Sequence, residues 1–190
     1  MKNELIIFDF FGVFCTEVAP VWFALRYEKD EAMRLKDKYF VKADLGEVTM
    51  DELFCEMSQD LGIPVDVIKA EWEPLFVLNF PLFDYVEKLR QHYTVILLYN
   101  APLGLLDDLL DCKDLRKYFE KVFISCHMKM AKPNLDIYRR CIDSFAHKFD
   151  KVYMVDDNVN NLKRLDEIGV TPILFTDNAD VIKAFPLQEK

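Results

Sequence analysis

Near its start the chain reads Leu5-Ile6-Ile7-Phe8-Asp9-Phe10-Phe11-Gly12-Val13-Phe14, an apolar run that holds one acid and one glycine. Residues 5–8 are apolar without alternation, which is typical of a parallel strand covered on both faces. Asp9 then falls at the carboxyl end of that strand, where open α/β sheets bind their ligands. Gly12 permits a tight backbone turn beside Asp9. An aspartate that caps a turn gives the same local pattern, so the rest of the chain must decide between these interpretations.

Composition limits the classes of function. The chain has 190 residues, enough for one domain that carries a modest insertion. Its net charge of −9 argues against nucleic acid or an anionic membrane as the main partner, because both require clustered Lys and Arg. No apolar run approaches the length of about twenty residues that a membrane span needs. We therefore expect a small-molecule partner.

Cysteine and histidine usage gives no sign of a disulfide framework or a zinc site. The five cysteines are odd in number and lack paired metal-type spacing, and no leader-like segment is visible. We expect a cytoplasmic protein with free thiols. The three histidines are scattered singly and are interpreted as surface or packing residues.

A helical segment follows the first strand. Apolar residues recur at helical spacing across residues 16–81, and Thr49-Met50-Asp51-Glu52 forms a capping box at the start of one helix. These apolar stripes predict a small helical bundle. We expect a cap domain of residues 16–81 and a core domain made of residues 1–15 and 82–190.

From Pro81 onward, predicted helices alternate with predicted strands. The strands are expected near residues 94–99, 121–125, 151–155 and 171–175, and Leu162, Leu165 and Ile168 are expected to line one helix that ends at Gly169. This alternation predicts an α/β fold, with a Rossmann-like parallel sheet and helices on both of its faces. An insertion that follows the first strand lies over the carboxyl edge of such a sheet, so the cap is placed to act as a lid.

Polar residues follow several of the predicted strands and should converge at one edge. They are Asp9, Tyr99-Asn100, Lys132 and Asp156-Asp157. Clustered carboxylates cannot all stay ionised without a cation, and hard oxygen ligands suit Mg²⁺. A carboxylate nucleophile, a lysine and Mg²⁺ together are typical of a site that forms an aspartyl phosphate. Taken singly, each piece could be a helix cap or a loop.

The sequence resembles the haloacid dehalogenase superfamily over nearly its whole length. It is most similar to the capped phosphatases near the α-glucose-1-phosphate phosphatases and the amino-terminal phosphatase domain of soluble epoxide hydrolases. Four motifs carry the resemblance: Phe8-Asp9, Asn100, Lys132-Pro133-x-x-x-Ile137-Tyr138 and Val155-Asp156-Asp157-Asn158-x-x-Asn161. The segment 16–81 matches the family's cap, and its Gly46-Glu47-x-Thr49 turn is also similar.

The resemblance implies specific roles for the site residues. Asp9 would be the nucleophile, and Lys132, Asn100 and Tyr99 would complete the catalytic group. Mg²⁺ would be bound by Asp9, the backbone carbonyl of Phe11 and Asp157, with Asp156 in support.

Two departures from the family pattern bear on activity. Phe11 replaces the second aspartate, which in related phosphatases protonates the leaving oxygen, and Tyr99 replaces a Ser or Thr that contacts phosphate. Loss of a general acid removes about 10² to 10⁴ in rate. Dehalogenases of the superfamily carry an aromatic residue at the position of Phe11.

These observations favour a Mg²⁺-dependent phosphatase that acts on a small phosphorylated metabolite. One alternative is a catalytically impaired binding module that keeps its metal and phosphate sites. The other is a metal-independent dehalogenase, which Phe11 favours and Asp156-Asp157 oppose. The sequence predicts neither the substrate nor the oligomeric state.

Overall fold

The computed structural model describes residues 2–187 and is centred on a five-stranded sheet. Every strand is parallel to its neighbours, and the order across the sheet is β3-β2-β1-β4-β5. The strands are β1 (Glu4–Phe8), β2 (Thr94–Tyr99), β3 (Lys121–Ile124), β4 (Lys151–Asp156) and β5 (Val170–Leu174). The predicted α/β class with a parallel sheet is confirmed.

Strand β1 lies in the middle of the sheet. Ile7 is paired with Ile96 of β2 on one side and with Met154 of β4 on the other. The side chains of residues 5–8 are fully buried because helices cover both faces of the sheet, which explains the absence of alternation in this stretch. The pairing continues past the strand, since the Asp9 amide donates to the Val155 carbonyl at 2.9 Å.

Four helices form an insertion between β1 and the rest of the chain. They are α1 (Val18–Ala24), α2 (Lys29–Asp44), α3 (Met50–Leu61) and α4 (Val65–Trp72). The predicted capping box is present, because Thr49 accepts from the Glu52 amide and Glu52 accepts from the Thr49 amide. Aromatic side chains fill the interior of the insertion, including the stacked rings of Phe40 and Trp72. We refer to residues 16–81 as the helical insertion.

Six further helices cover the sheet. They are α5 (Phe80–Leu89), α6 (Leu106–Cys112), α7 (Ser125–Met128), α8 (Leu135–Asp143), α9 (Val159–Leu162) and α10 (Asn178–Ala184). No helix within residues 2–187 combines the length and the apolar character needed to cross a membrane.

One predicted helix was wrong. The apolar spacing of Leu162, Leu165 and Ile168 suggested a single helix, but α9 ends at Leu162 and a 3₁₀ turn covers Leu165–Ile168. Lys163 is extended and Arg164 has a φ of +64°, so the helix cannot continue between them. A spacing of three residues also fits a 3₁₀ turn, and the pattern could not distinguish the two.

The helical insertion is fastened to the sheet at the turn between α2 and α3. The Ser125 hydroxyl donates to the Asp44 carbonyl at 2.6 Å and accepts from the Ala101 amide at 3.0 Å. The Lys129 ammonium donates to the Gly46 carbonyl at 2.7 Å. These bonds hold the α2–α3 turn over the carboxyl edge of the sheet.

Candidate active site

Three carboxylates meet at the carboxyl edge of the sheet. Asp9 follows β1, Asp156 is the last residue of β4, and Asp157 comes directly after it. One ligand atom from each of the three lies within 4.8 Å of the others. Asp9 and Asp156 are buried, whereas Asp157 is partly exposed. The strand ends thus bring together the acids that the sequence indicated.

Lys132 lies between two of these acids. Its Nζ donates to Asp156 Oδ2 at 2.6 Å and lies 2.8 Å from Asp9 Oδ1, an ion-pair contact without hydrogen-bond geometry. The side chain is 1% exposed. Burial by itself lowers the pKa of Lys132, but the charges of Asp156 and Asp9 outweigh burial and raise the pKa above its ordinary value. Lys132 is therefore a fixed positive charge beside Asp9.

Asn100 positions the backbone of Lys132. Its side-chain amide donates to the Lys132 carbonyl at 3.0 Å, and its side-chain oxygen accepts from the Lys132 amide at 2.9 Å. Both polar atoms of Asn100 are thus used to hold the loop that carries the lysine. Asn100 also lines the cavity described below.

Asp156 has its acceptor positions filled by protein groups. In addition to Lys132, its carboxylate accepts from the Asn161 side chain at 3.1 Å and from the Asn158 amide at 2.8 Å. By contrast, Asp157 Oδ1 is buried and has no hydrogen-bond partner among residues 2–187. Asp156 is therefore occupied by bonds from the protein and can hold Lys132 in place, whereas Asp157 has an oxygen free to bind a ligand.

The electrostatics of the three acids fit a divalent cation. Burial and the charge of Asp156 raise the pKa of Asp9 well above its ordinary value. Burial and the same charge raise the pKa of Asp157 to about 6. One lysine does not balance three carboxylates, and oxygen atoms on rigid strand ends suit a hard cation such as Mg²⁺.

Gly12 allows Asp157 to approach the loop that follows β1. Its φ of +81° lies in the left-handed region, and a Cβ at this position would lie 2.3 Å from the Asp157 carboxyl carbon. A side chain here would therefore displace the free carboxylate. The tight turn expected beside Asp9 is present.

Phe11 is packed among aromatic side chains. It is 2% exposed, and its ring lies 4.9 Å from that of Tyr99, 5.1 Å from that of Phe10 and 5.8 Å from that of Phe76. Its backbone carbonyl accepts no backbone hydrogen bond within the described part of the chain. The ring occupies an aromatic cluster, while the carbonyl is available as a metal ligand.

Tyr99 lies at the end of β2 and lines the same cavity as Asp9. Burial raises the pKa of Tyr99 well above its ordinary value, and the charges of Glu17 and Asp9 raise it further. The phenol therefore stays protonated and can donate a hydrogen bond to an anion beside Asp9.

A cavity of about 410 Å³ lies between the sheet edge and the helical insertion. From the core it is lined by Asp9, Phe11, Tyr99, Asn100, Lys132 and Asp157, and from the insertion by Glu17, Lys36, Phe40, Asp44 and Trp72, among others. Asp156 is not among the lining residues, in keeping with its position behind Asp9. The catalytic and metal-binding roles of the core residues stay predictions.

Sequence reasoning missed the charged residues that the insertion contributes. Lys36, Phe40 and Asp44 follow one another at intervals of four on α2, and this spacing was the only signal that they share a face. Burial raises the pKa of Glu17 and of Asp44 to about 7 each, although the charge of Lys36 acts in the opposite direction on both.

Comparisons with known proteins agree with this geometry. Residues 4–169 match the family model described as haloacid dehalogenase-like hydrolase. Bifunctional epoxide hydrolase 2 of Rattus norvegicus is 31% identical over 70 residues, which are 37% of this chain but 13% of that protein. This chain therefore matches only a small part of the length of that relative.

Two solved structures of an enzyme from Bacteroides thetaiotaomicron, described as a HAD family enzyme, share the fold. Its magnesium complex has a TM-score of 0.77 at 22% identity and covers 98% of this chain and 100% of its own. Its complex with magnesium and inorganic phosphate has a TM-score of 0.73 at 23% identity, covering 92% and 95%. At this identity the likeness establishes a common architecture.

Proposed function

We propose a phosphatase activity from the premise that this chain belongs to the haloacid dehalogenase-like hydrolase family. The substrate is a small phosphorylated metabolite, and the reaction depends on Mg²⁺. The observation that carries the proposal is Lys132, buried between Asp9 and Asp156 with Asp157 beside them. A fixed cation next to a carboxylate nucleophile is what attack on an anionic phosphoryl group requires.

Asp9, Asp157 and the carbonyl of Phe11 would hold the Mg²⁺ ion, and Asp156 would support them. The unpartnered Oδ1 of Asp157 supports this assignment, as does the neighbouring structure that contains magnesium and phosphate. When bound, Mg²⁺ supplies positive charge that reduces the repulsion between the attacking carboxylate and the phosphoryl oxygens.

The chemistry proceeds in two displacements. A carboxylate oxygen of Asp9 attacks phosphorus, the bond to the leaving oxygen breaks, and its electron pair leaves with that oxygen. Lys132 neutralises charge near Asp9, and Tyr99 donates a hydrogen bond to a phosphoryl oxygen. Water then attacks the phosphorus of the aspartyl phosphate, and the bond between phosphorus and the Asp9 oxygen breaks, which restores the carboxylate. One proton of the water stays on the released phosphate, and the other passes through solvent to the departed leaving oxygen. Since Phe11 provides no proton, rates should depend on how well the leaving oxygen carries charge.

We also propose that the helical insertion, residues 16–81, is a cap over a core made of residues 1–15 and 82–190. The position of the cavity between the two supports this division. A cap of this kind limits the entry of bulk water while Asp9 attacks phosphorus, and it strengthens the electrostatic interactions inside the cavity.

A cytoplasmic location is part of the same proposal. Each of the five cysteines is free in the structure, as expected for a protein kept in a reducing compartment.

The test is release of inorganic phosphate from a panel of sugar, aryl and acyl phosphates, with and without Mg²⁺. We expect Mg²⁺-dependent turnover that is fastest for acyl and aryl phosphates. Asp9→Asn should lower kcat by at least about 10³-fold, because the nearly isosteric amide cannot form the acyl phosphate. Its melting temperature should show that the fold is intact, and wild-type activity in this variant would remove Asp9 as the nucleophile.

Two other outcomes would point to the alternative functions. If Mg²⁺ and inorganic phosphate raise the melting temperature but no phosphate ester is cleaved, the protein is a binding module. If halide is released from a haloacid without metal, it is a dehalogenase. Phe11 is the observation that favours a dehalogenase. Asp156 and Asp157 oppose it, since their charges would repel an uncomplexed carboxylate nucleophile at Asp9.

A further inference from the structure

The helical insertion presents two acids to the cavity that have no cationic partner. Within the described chain, neither Glu17 nor Asp44 forms an ion pair or a side-chain hydrogen bond. The one basic residue that the insertion contributes, Lys36, lies 3.4 Å from the carboxylate of Asp37 on its own helix. In this wall of the cavity, which we call the roof, Lys36 therefore contacts Asp37, whereas its charge reaches Glu17 and Asp44 only at longer range.

Both acids are held in place by the backbone. Glu17 is the residue that precedes α1, and its side chain makes no capping bond that would turn it away. Asp44 is the last residue of α2, and its carbonyl accepts from the Ser125 hydroxyl. Both acids line the same cavity as Tyr99 and Asp9, on the side of the helical insertion, and their charges raise the pKa of the Tyr99 phenol.

The charge of this roof selects against anions. Two acids against one base leave the roof negative once the acids are ionised, whereas the core carboxylates Asp9 and Asp157 would be balanced by Lys132 and bound Mg²⁺. A leaving group with a second phosphate or a carboxylate would meet like charge at close range. A cation in the same place would gain attraction from both acids and would relieve the cost of burying them.

Apolar aromatic side chains form much of the rest of this wall. The rings of Phe40 and Trp72 lie nearly parallel with centroids 5.9 Å apart, and both residues line the cavity together with Phe11. An ammonium brings three N–H donors to carboxylates that can only accept.

We propose that Glu17 and Asp44 select phosphate monoesters whose leaving group carries a protonated amine. This inference rests on the proposed phosphatase function, because it assumes that the phosphoryl group binds at Asp9. The two acids of the roof then bind the amine at one end of the substrate, while the phosphoryl group lies at Asp9 at the other end.

Binding of phosphonates tests this selection without requiring turnover. Aminoalkyl, hydroxyalkyl and carboxyalkyl phosphonates of equal chain length would be titrated by calorimetry into the wild-type protein with Mg²⁺ at pH 8. We expect the amine to bind at least about tenfold more tightly than the hydroxyl compound, and the carboxylate to bind most weakly. Equal Kd values for amine and hydroxyl, or a preference for the carboxylate, would overturn the proposal.

Variants locate the preference in the roof. Glu17→Gln and Asp44→Asn should each reduce the ratio of the two Kd values, and the double variant should bring it close to one. Asp51→Asn removes the same charge from an exposed position on α3 and should leave the ratio unchanged. A ratio that survives in the double variant would show that another group selects the amine.

A separate assay distinguishes failure of this inference from failure of the proposed function. Turnover of an aryl phosphate by the wild-type protein tests the phosphatase activity alone. If the aryl phosphate is not cleaved but the amine is still preferred in binding, the selection holds and the catalytic proposal is wrong. If the aryl phosphate is cleaved and the amine is not preferred, the reverse is true.

Discussion

The ring of Phe11 belongs to the hydrophobic core as much as to the site. Phe11→Asp would remove its contacts with Phe10, Phe76 and Tyr99 and place a carboxyl group in their midst. We expect the free energy of unfolding to fall by about 3–5 kcal/mol, as measured by urea denaturation. A loss below about 1 kcal/mol, with faster cleavage of alkyl phosphates, would instead mean that an acid is readily accommodated here.

Glu17 should make the protein less stable as the pH rises. Its pKa is about 7 in the folded state against an ordinary value of 4.5, so the native state binds more protons than the unfolded state between these values. Stability therefore falls as the pH rises through this window. Glu17→Gln removes this dependence, and without Mg²⁺ we expect the variant to gain about 1–3 kcal/mol relative to wild type between pH 4 and pH 8.

Urea denaturation at several pH values measures this difference. Any cost of burying the glutamine amide is the same at every pH, so the change of the difference with pH is the quantity of interest. Glu87→Gln, at an exposed position on α5, provides the control. A difference that is constant from pH 4 to pH 8 would show that Glu17 titrates normally.

Among the elements, the short helix α7 contributes to stability through its first residue, Ser125, which bonds both the helical insertion and the loop after β2. Ser125→Ala would leave the Asp44 carbonyl without its donor and the Ala101 amide without its acceptor. We expect the variant to lose about 1–3 kcal/mol of stability. Ser144→Ala removes an exposed hydroxyl at the end of α8 and should change stability by less than about 0.5 kcal/mol. Equal losses in both variants would contradict a special role for Ser125.

The elements also show where sequence reasoning succeeds. Residues 5–8 could be recognised as a buried parallel strand because burial on both faces leaves no polar position in the run. Once the strands were recognised, Asp9, Lys132 and Asp157 could be brought together, since parallel strands end at one edge. This reasoning uses only local pattern and the geometry of the sheet.

The same reasoning could not reach the roof of the cavity. Glu17 and Asp44 line a cavity with Tyr99 only after α1 and α2 pack on the core, and no local sequence pattern predicts that packing. Nor could it show that Phe11 is held by Phe76, which lies far along the chain. The break at Arg164 depends on one backbone angle that an arginine adopts only in its tertiary context.

At the scale of the whole molecule, the topology places Asp9, the proposed nucleophile, directly after the central strand of the sheet. Strand β1 has β2 on one side and β4 on the other, and the Asp9 amide donates to the Val155 carbonyl. The helical insertion meets the rest of the chain through bonds such as those from Lys129 to the Gly46 carbonyl and from the Met50 amide to the Leu103 carbonyl, and through shared apolar packing. Native-state hydrogen exchange should separate these two parts of the molecule.

We expect amides of residues 6–9 to exchange only through global unfolding, and amides of α1 and α4 to exchange through smaller openings. Exchange followed by NMR at increasing urea concentration measures both. Equal free energies for the two sets would mean that the insertion opens only when the sheet does.

The hydrogen bond from the Asp9 amide to the Val155 carbonyl also determines how long Asp9 keeps its position. The reacting carboxylate would keep its place over minutes to hours, while the segments that cover it would open and reclose many times within the same interval. Many substrate molecules could therefore enter and leave the cavity between two successive unfolding events of β1.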